Sequence, residues 1–262
     1  MTHLMHKRLE EIDQLIERWI QQLDVIIPQL LAKLDTDIKQ DRFDLVTNVD
    51  KALQQHFSEM LHEHLPGHQL VAEEKNNDTI SAHEGHVWLL DPIDGTANLV
   101  KQQEDYCIII GYFVNGKPKL SYIYDYVHQK LYKAIEHRGA FENNNPLPKP
   151  PILSLQDAMI SFDAQYIPVD VSKALREACF ANRNIGSCGL DSIKVIKGQF
   201  GAYINTNPKP WDIAAQHLFA KELGLKMTCL TRAALNIAEA GPFIISNEGC
   251  YDEIINIYQR YS

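Results

Sequence analysis

The apolar positions near the start of the chain fall at helical spacing. Leu9, Ile12, Leu15, Ile16, Trp19, Ile20, Leu23, Ile26, Ile27 and Leu30 form one stripe, with charged residues between them. The spacing predicts a helix from about Leu4 to Leu34, kinked or split at Pro28, which has no N–H to donate. Such a stripe serves either as packing against the protein's own body or as a dimer seam. From Asp41 the pattern changes. Asp44 to Asp50 reads as a short strand running into a helix capped by Asn48 or Asp50, which Pro66-Gly67 stops. Gln69 to Ala72 is a short strand ending on Glu73-Glu74, and Lys75 to Glu84 is polar and loop-like.

A second apolar run, Val87-Trp88-Leu89-Leu90, leads into Asp91-Pro92-Ile93-Asp94-Gly95-Thr96. The run predicts a buried strand that stops at Pro92. Asp94 is a good N-cap, which puts Gly95 and Thr96 in the first turn of a short helix. Asp91 and Asp94 then point into one space with no cation between them. Two such carboxylates repel unless a metal ion sits there. Free N–H groups of Gly95 and Thr96 beside them offer an anion site. The plainer reading is a turn, for which Pro, Asp and Gly are the usual residues.

Further along, Cys107 to Val114 and Leu120 to Tyr124 flank Asn115-Gly116, a hairpin signal, and Lys130 to Ile135 adds a strand. The proline-rich Pro146 to Pro151 is the best internal boundary. It divides an N-terminal half, residues 1–146, from a C-terminal half, 147–262, within one compact unit. After it, strands (Ala158 to Phe162, Phe200 to Ile204, Phe243 to Ser246) alternate with helices. These helices are Val171 to Phe180, Trp211 to Leu223 with Gly224 behind it, and Glu248 to Tyr261. The alternation predicts an α+β or layered α/β protein.

Composition narrows the function. The 262 residues are 45% hydrophobic and 23% charged, ordinary for a globular protein, and the net charge of −9 disfavours nucleic acid as the main partner. Five scattered cysteines form no C-x-x-C pair, so neither a zinc site nor a disulfide framework is suggested. No apolar run is long enough to span a bilayer, and the first ten residues do not resemble a signal peptide; a cytoplasmic protein is expected.

Asp50, Glu73-Glu74, Asp91 with Asp94, and Asp212 each lie where a predicted element begins or ends, which is where layered α/β proteins place sites. Singly, each has a plain explanation as a cap or a solvated side chain. Together, Asp44-Leu45-Val46-Thr47-Asn48-Val49-Asp50, Ala72-Glu73-Glu74, Trp88 to Asn98 and Pro210-Trp211-Asp212-Ile213-Ala214-Ala215 resemble the inositol monophosphatase family. This superfamily of metal-dependent phosphatases also includes fructose-1,6-bisphosphatases. The resemblance covers nearly the whole chain and implies an αβαβα sandwich, two or three Mg²⁺ ions, a homodimer and a small phosphorylated substrate. It makes Glu73, Asp91, Asp94, Asp212 and the Ile93 carbonyl metal ligands. Thr96 and Asp50 then position and activate the attacking water, with Glu73 sharing that work, and Gly95 and Thr96 hold the phosphate. Lys39 falls where the family has a lysine on a mobile loop near the site. Ser187 and Cys188, in a run that differs from the family's usual one, and Lys209 are expected around the substrate.

Oxygen-only ligands agree with Mg²⁺ rather than zinc. Asn205 stands where inositol-type members carry a glutamate that binds a sugar hydroxyl. The expectation is a Mg²⁺-dependent phosphomonoesterase of inositol-1-monophosphatase type. NADP 2′-phosphatase or fructose-1,6-bisphosphatase activity is the enzymatic alternative, and a catalytically silent phosphate-binding regulatory module is the non-enzymatic one.

Overall fold

The computed structural model describes residues 2–38, 45–74, 81–239 and 241–262, with residues 2–6 as backbone only. Helix α1 (Thr2–Leu31) precedes a two-stranded ribbon, β1 (Thr36–Ile38) and β2 (Leu45–Thr47), and then helix α2 (Asn48–His64). Strands β3 (Gln69–Ala72) and β4 (His86–Asp94) follow, then the short α3 (Thr96–Gln102). A meander comes next: β5 (Cys107–Val114), β6 (Lys117–Asp125), β7 (Lys130–Ile135), β8 (Gly139–Glu142) and β9 (Asn145–Pro146). The rest of the chain runs β10 (Met159–Phe162), α4 (Val169–Ala178), β11 (Ala181–Asn182), α5 (Cys188–Ile196), β12 (Ala202–Asn205), α6 (Gln216–Leu223), β13 (Lys226–Cys229), β14 (Phe243–Ser246) and α7 (Glu248–Tyr261).

Strands β3 to β9 form one sheet in chain order, antiparallel except for the β3–β4 pair. The second sheet is mixed, in the order β11-β10-β12-β14-β13. Each sheet has helices on both faces. Leu9, Ile16, Trp19 and Leu23 of α1 and Leu53 and Phe57 of α2 pack on Trp88, Leu90, Ile108 and Tyr122 of the first sheet. Its other face, with Ile109 and Ile123, meets Ile193 of α5 and Phe219 of α6, which also cover Tyr203 and Ile245 of the second sheet. The far face of that sheet, with Ile160 and Ile244, packs on Val171 of α4 and Ile254 of α7. The layers are therefore α, β, α, β, α.

The apolar stripe of α1 thus faces the protein's own sheet. A buried polar link fixes its position. Lys133 of β7 reaches Asp13 at 3.0 Å and Glu17 at 2.6 Å, and the Tyr122 hydroxyl donates to Asp13 at 2.9 Å. Pro28 does not split α1. It lies in the last turn, and the helix ends three residues beyond it. The Asn115-Gly116 hairpin forms with both residues at positive φ, 49° and 72°, the mirror-image turn that matches strand twist.

Three expectations change. The helix cap after β2 is Thr47, not Asn48 or Asp50; its hydroxyl accepts from the Val49 and Asp50 amides. The segment from Trp211 is not one helix. A 3-10 turn, Trp211–Ile213, comes first, and α6 starts at Gln216. The Gln216 side chain donates to the Asp212 carbonyl at 2.7 Å, the acceptor a continuous helix would offer to the Gln216 amide. The strand before Pro92 does not stop there either, for a reason that bears on the site.

Candidate active site

Strand β3 pairs with β4 only as far as Leu90, so beyond that point one edge of β4 owes no ladder bonds. Pro92 costs nothing there. On the other edge Asp91 pairs with Ile109 and Asp94 with Cys107, three steps on β4 against two on β5. The extra residue is a bulge, which re-aims the side chains after it. Without it Asp91 and Asp94 would project to opposite faces; with it both line one cavity. The Ile93 amide donates to Asp91 at 3.0 Å and secures the bend.

Asp94 is not the cap of α3. That position is Gly95, at φ 92°, where a Cβ would lie 3.1 Å from the Asp105 carbonyl and 3.2 Å from Ser187. Only glycine tolerates both conditions. The Asp94 carboxylate turns instead to the N-terminus of α5. It accepts from the Ser187 hydroxyl, the Cys188 amide at 3.0 Å, the Gly189 amide at 2.8 Å and the Cys107 thiol at 3.2 Å. Gly189 is required for this approach, since a Cβ there would sit 2.5 Å from the Cys107 sulfur. Burial still pushes the Asp94 pKa up, against the lowering by these donors.

Thr47 and Asp50 complete a reciprocal cap at the start of α2. The Asp50 Oδ2 atom accepts from the Thr47 amide at 2.9 Å and its hydroxyl at 2.5 Å. Its other oxygen, Oδ1, lies 3.2 Å from the Thr96 hydroxyl, which is also 2.9 Å from the Ile93 carbonyl. One carboxylate therefore caps a helix and touches Thr96. Burial raises its pKa. Carboxylate oxygens of Asp50, Glu73 and Glu74 come within 4.8 Å of one another.

Asp212 joins the group, its Oδ2 accepting from the Lys209 amide at 2.8 Å. Burial pushes the carboxyls of Asp91 and Asp212 well up, and neighbouring acids add to it: Glu73 and Asp94 for Asp91, Asp94 for Asp212. These carboxylates share a cavity of 410 Å³ with Ile93, Gly95, Thr96, Cys188, Asn205 and Lys209. A set of hard oxygen donors, desolvated and mutually repelling, fits a small divalent cation.

Ser187 does not border the cavity. It is buried and spends its hydroxyl on Asp94. Lys39 lies outside the described residues. The sequence reading missed the donors that hold Asp94, and also Asp191 behind them. Asp191 accepts from Ser161 at 2.6 Å and from the Ile185 and Gly186 amides, both at 3.2 Å. Its pKa is pushed up by burial to about 6. The folded protein thus keeps this proton where the unfolded chain has lost it. Stability drops as pH rises from about 4 to about 6 through this group. Asp191→Asn is expected to flatten that part of the stability profile relative to wild type, as measured by urea melts across this range.

A layered αβαβα body with an oxygen-donor cavity at a strand end and a hydroxyl–carboxylate pair beside it defines a metal-dependent phosphatase. The comparisons specify which. The chain belongs to the inositol monophosphatase family, whose sequence profile matches residues 9–261. It is 33% identical to the inositol-1-monophosphatase of Bacillus subtilis (strain 168) over 95% of this chain and 96% of that one. A crystal structure of an IMPase/NADP phosphatase complexed with Mg²⁺ and phosphate superposes with a TM-score of 0.94, at 56% identity over 95% of both chains. A dual-specific IMPase/NADP phosphatase bound with D-inositol-1-phosphate superposes at 0.92, with 55% identity and 95% coverage of both.

Proposed function

We propose that this phosphatase hydrolyses both inositol 1-phosphate and the 2′-phosphate of NADP. Two or three Mg²⁺ ions would be held by Glu73, Asp91, Asp94, Asp212 and the Ile93 carbonyl. The observation that carries the metal assignment is the buried acidic group around one cavity, which burial and mutual repulsion destabilise without a cation. Substrate choice is supported by the similarity to dual-specific enzymes. The family resemblance adds a homodimer, and the five cysteines, all free thiols, support a reducing, cytoplasmic setting.

When bound, Mg²⁺ supplies charge to the phosphoryl oxygens, lowers the pKa of water and stabilises the leaving alkoxide. The chain's own residues supply position and a proton path. Thr96 has one hydroxyl hydrogen. Donating it to Asp50 leaves its lone pairs to accept a proton from the attacking water. The water proton passes to Thr96 Oγ1 as the Thr96 proton passes to Asp50 Oδ1. The raised pKa of Asp50 suits it to receive that proton. Backbone N–H groups at Gly95 and Thr96, which have no intrahelical acceptor, would hold the phosphate. The test is phosphate release from inositol 1-phosphate, NADP and fructose 1,6-bisphosphate, with Mg²⁺ and with EDTA. Full activity in EDTA would sink the metal assignment.

Asn205 and Lys209 border the cavity, and we read them as the leaving-group side. The Asn205 amide donates to the Tyr203 hydroxyl at 3.2 Å and accepts from the Asn207 amide at 2.9 Å. A neutral amide beside a cation tolerates a substrate with further phosphates better than a carboxylate would. Asn205→Glu is expected to shift kcat/KM toward inositol 1-phosphate and away from NADP by roughly 1–3 kcal/mol, the range for a hydrogen bond involving a charge. Competitive turnover of the two substrates by wild type and variant measures the shift; an unchanged ratio removes Asn205 from the leaving-group site.

A further inference from the structure

Three aromatic rings border the 410 Å³ cavity: Tyr166, Tyr203 and Trp211. Two of them have packing work. Tyr203 is buried against α5 and α6 and meets Phe243 edge-on at 5.7 Å. Trp211 packs against the cluster of Val71, Phe113 and Ala214. Tyr166 joins none of the apolar clusters among the described residues, and half of it, 50%, faces solvent.

The backbone that carries Tyr166 is nevertheless held. Its amide and that of Ile167 donate to the Asp163 carbonyl at 3.3 and 3.2 Å, and the Gln165 amide donates to the Asp163 side chain at 2.8 Å. Ile167 is buried in the cluster beneath α4. The result is a ring presented on a fixed turn at the cavity rim, beside Asp163 and Asn184, without a packing partner of its own. The carboxylates Asp91, Asp94 and Asp212 line the same cavity.

In NADP the 2′-phosphate sits on the ribose carbon next to the one that bears adenine. A phosphate at the carboxylates therefore leaves adenine only a few bonds away, within the same cavity. Inositol carries no π face to offer. We propose that Tyr166 stacks on this adenine and so favours nucleotide over polyol, independently of Asn205. The inference rests on the dual-substrate reading and names a residue that would contribute to it.

The experiment compares wild type, Tyr166→Ala and Tyr166→Phe on NADP, adenosine 2′-monophosphate and inositol 1-phosphate. Tyr166→Ala is expected to lower kcat/KM for both adenine substrates by roughly 10-fold, within the range of one base–aromatic stack. The loss should lie mainly in KM and leave inositol 1-phosphate unchanged. Tyr166→Phe keeps the ring and should behave as wild type. A uniform fall across all three substrates, or a ratio that does not move, overturns the proposal. Wild-type protein active on inositol 1-phosphate but inert toward NADP overturns the dual-substrate reading and this inference with it. An NADP-active wild type with an unmoved ratio in Tyr166→Ala overturns Tyr166 alone.

Discussion

Asp91→Asn is expected to abolish turnover and, without Mg²⁺, to raise the melting temperature of the protein. The two effects have one cause. Asp91 is buried, and Glu73, Asp94 and Asp212 all raise its pKa further. Its negative charge is a cost to the fold until a cation neutralises it. The amide keeps the shape and removes the charge, so the metal-free protein is expected to gain stability, while the proposed metal site would lose one of its carboxylates. The loss of turnover should exceed the 10²–10³-fold, in order of magnitude, that removing one charge-stabilising donor costs. Mg²⁺ should stabilise the wild type by about 2.7 kcal/mol at a hundred times its Kd, and Asp91→Asn by much less. Thermal melts of both proteins with Mg²⁺ and with EDTA check this. A variant that melts lower than wild type in EDTA would show that Asp91 is held by structural bonds rather than strained by its neighbours.

Thr96→Ala is expected to lose on the order of 10²-fold or more in kcat, in line with general-base contributions, with KM changing less. The substitution removes the hydroxyl between Asp50 and Ile93 and leaves the backbone N–H groups in place. Asp50→Asn is expected to give a similar defect. If Thr96 and Asp50 pass one proton between them, the double variant is little worse than either single one. Asp50 also caps α2 through Thr47, so Asp50→Asn should lower stability as well. Steady-state kinetics at a temperature well below both melting points separate the two roles. Fully additive losses in kcat would leave Asp50 with the cap alone.

What could be read from the chain alone follows a physical division. Strand β4 and its two aspartates were legible because an apolar run, a proline, a glycine and a threonine stand side by side. The bulge that brings Asp91 and Asp94 to one face was not, because it depends on where β3 ends and on which residues of β5 lie opposite. Helix α1 announced itself by an amphipathic stripe. Helix α5 was harder to read: it is only nine residues long, and its polar Asp191 and Ser192 are buried as fully as its apolar residues, so its pattern does not mark one solvent face. The donors it offers to Asp94 were hidden for the same reason. Thr47 escaped notice as a cap since Asn48 and Asp50 beside it are equally good capping residues by type. The break at Ala214 and Ala215 follows from a side-chain bond by Gln216 that competes with the helix. Tyr166 carries no local pattern; it becomes visible only when the apolar clusters are known and it belongs to none.

The bonds from Asp94 to Ser187, Cys188 and Gly189 span 93, 94 and 95 positions of sequence. Strands β4 to β9, by contrast, are joined to their immediate neighbours in the chain. During synthesis the meander can therefore close on itself before the polypeptide that secures Asp94 has been made. A nascent chain of about 150 residues would carry Glu73, Asp91 and Asp94, yet Asp94 would lack its anchor and Asp212 would not exist. Phosphatase competence thus arrives in one step, with the docking of the second sheet. A chain that stops before Asp212 is therefore expected to show no phosphatase activity, however well its first sheet has folded.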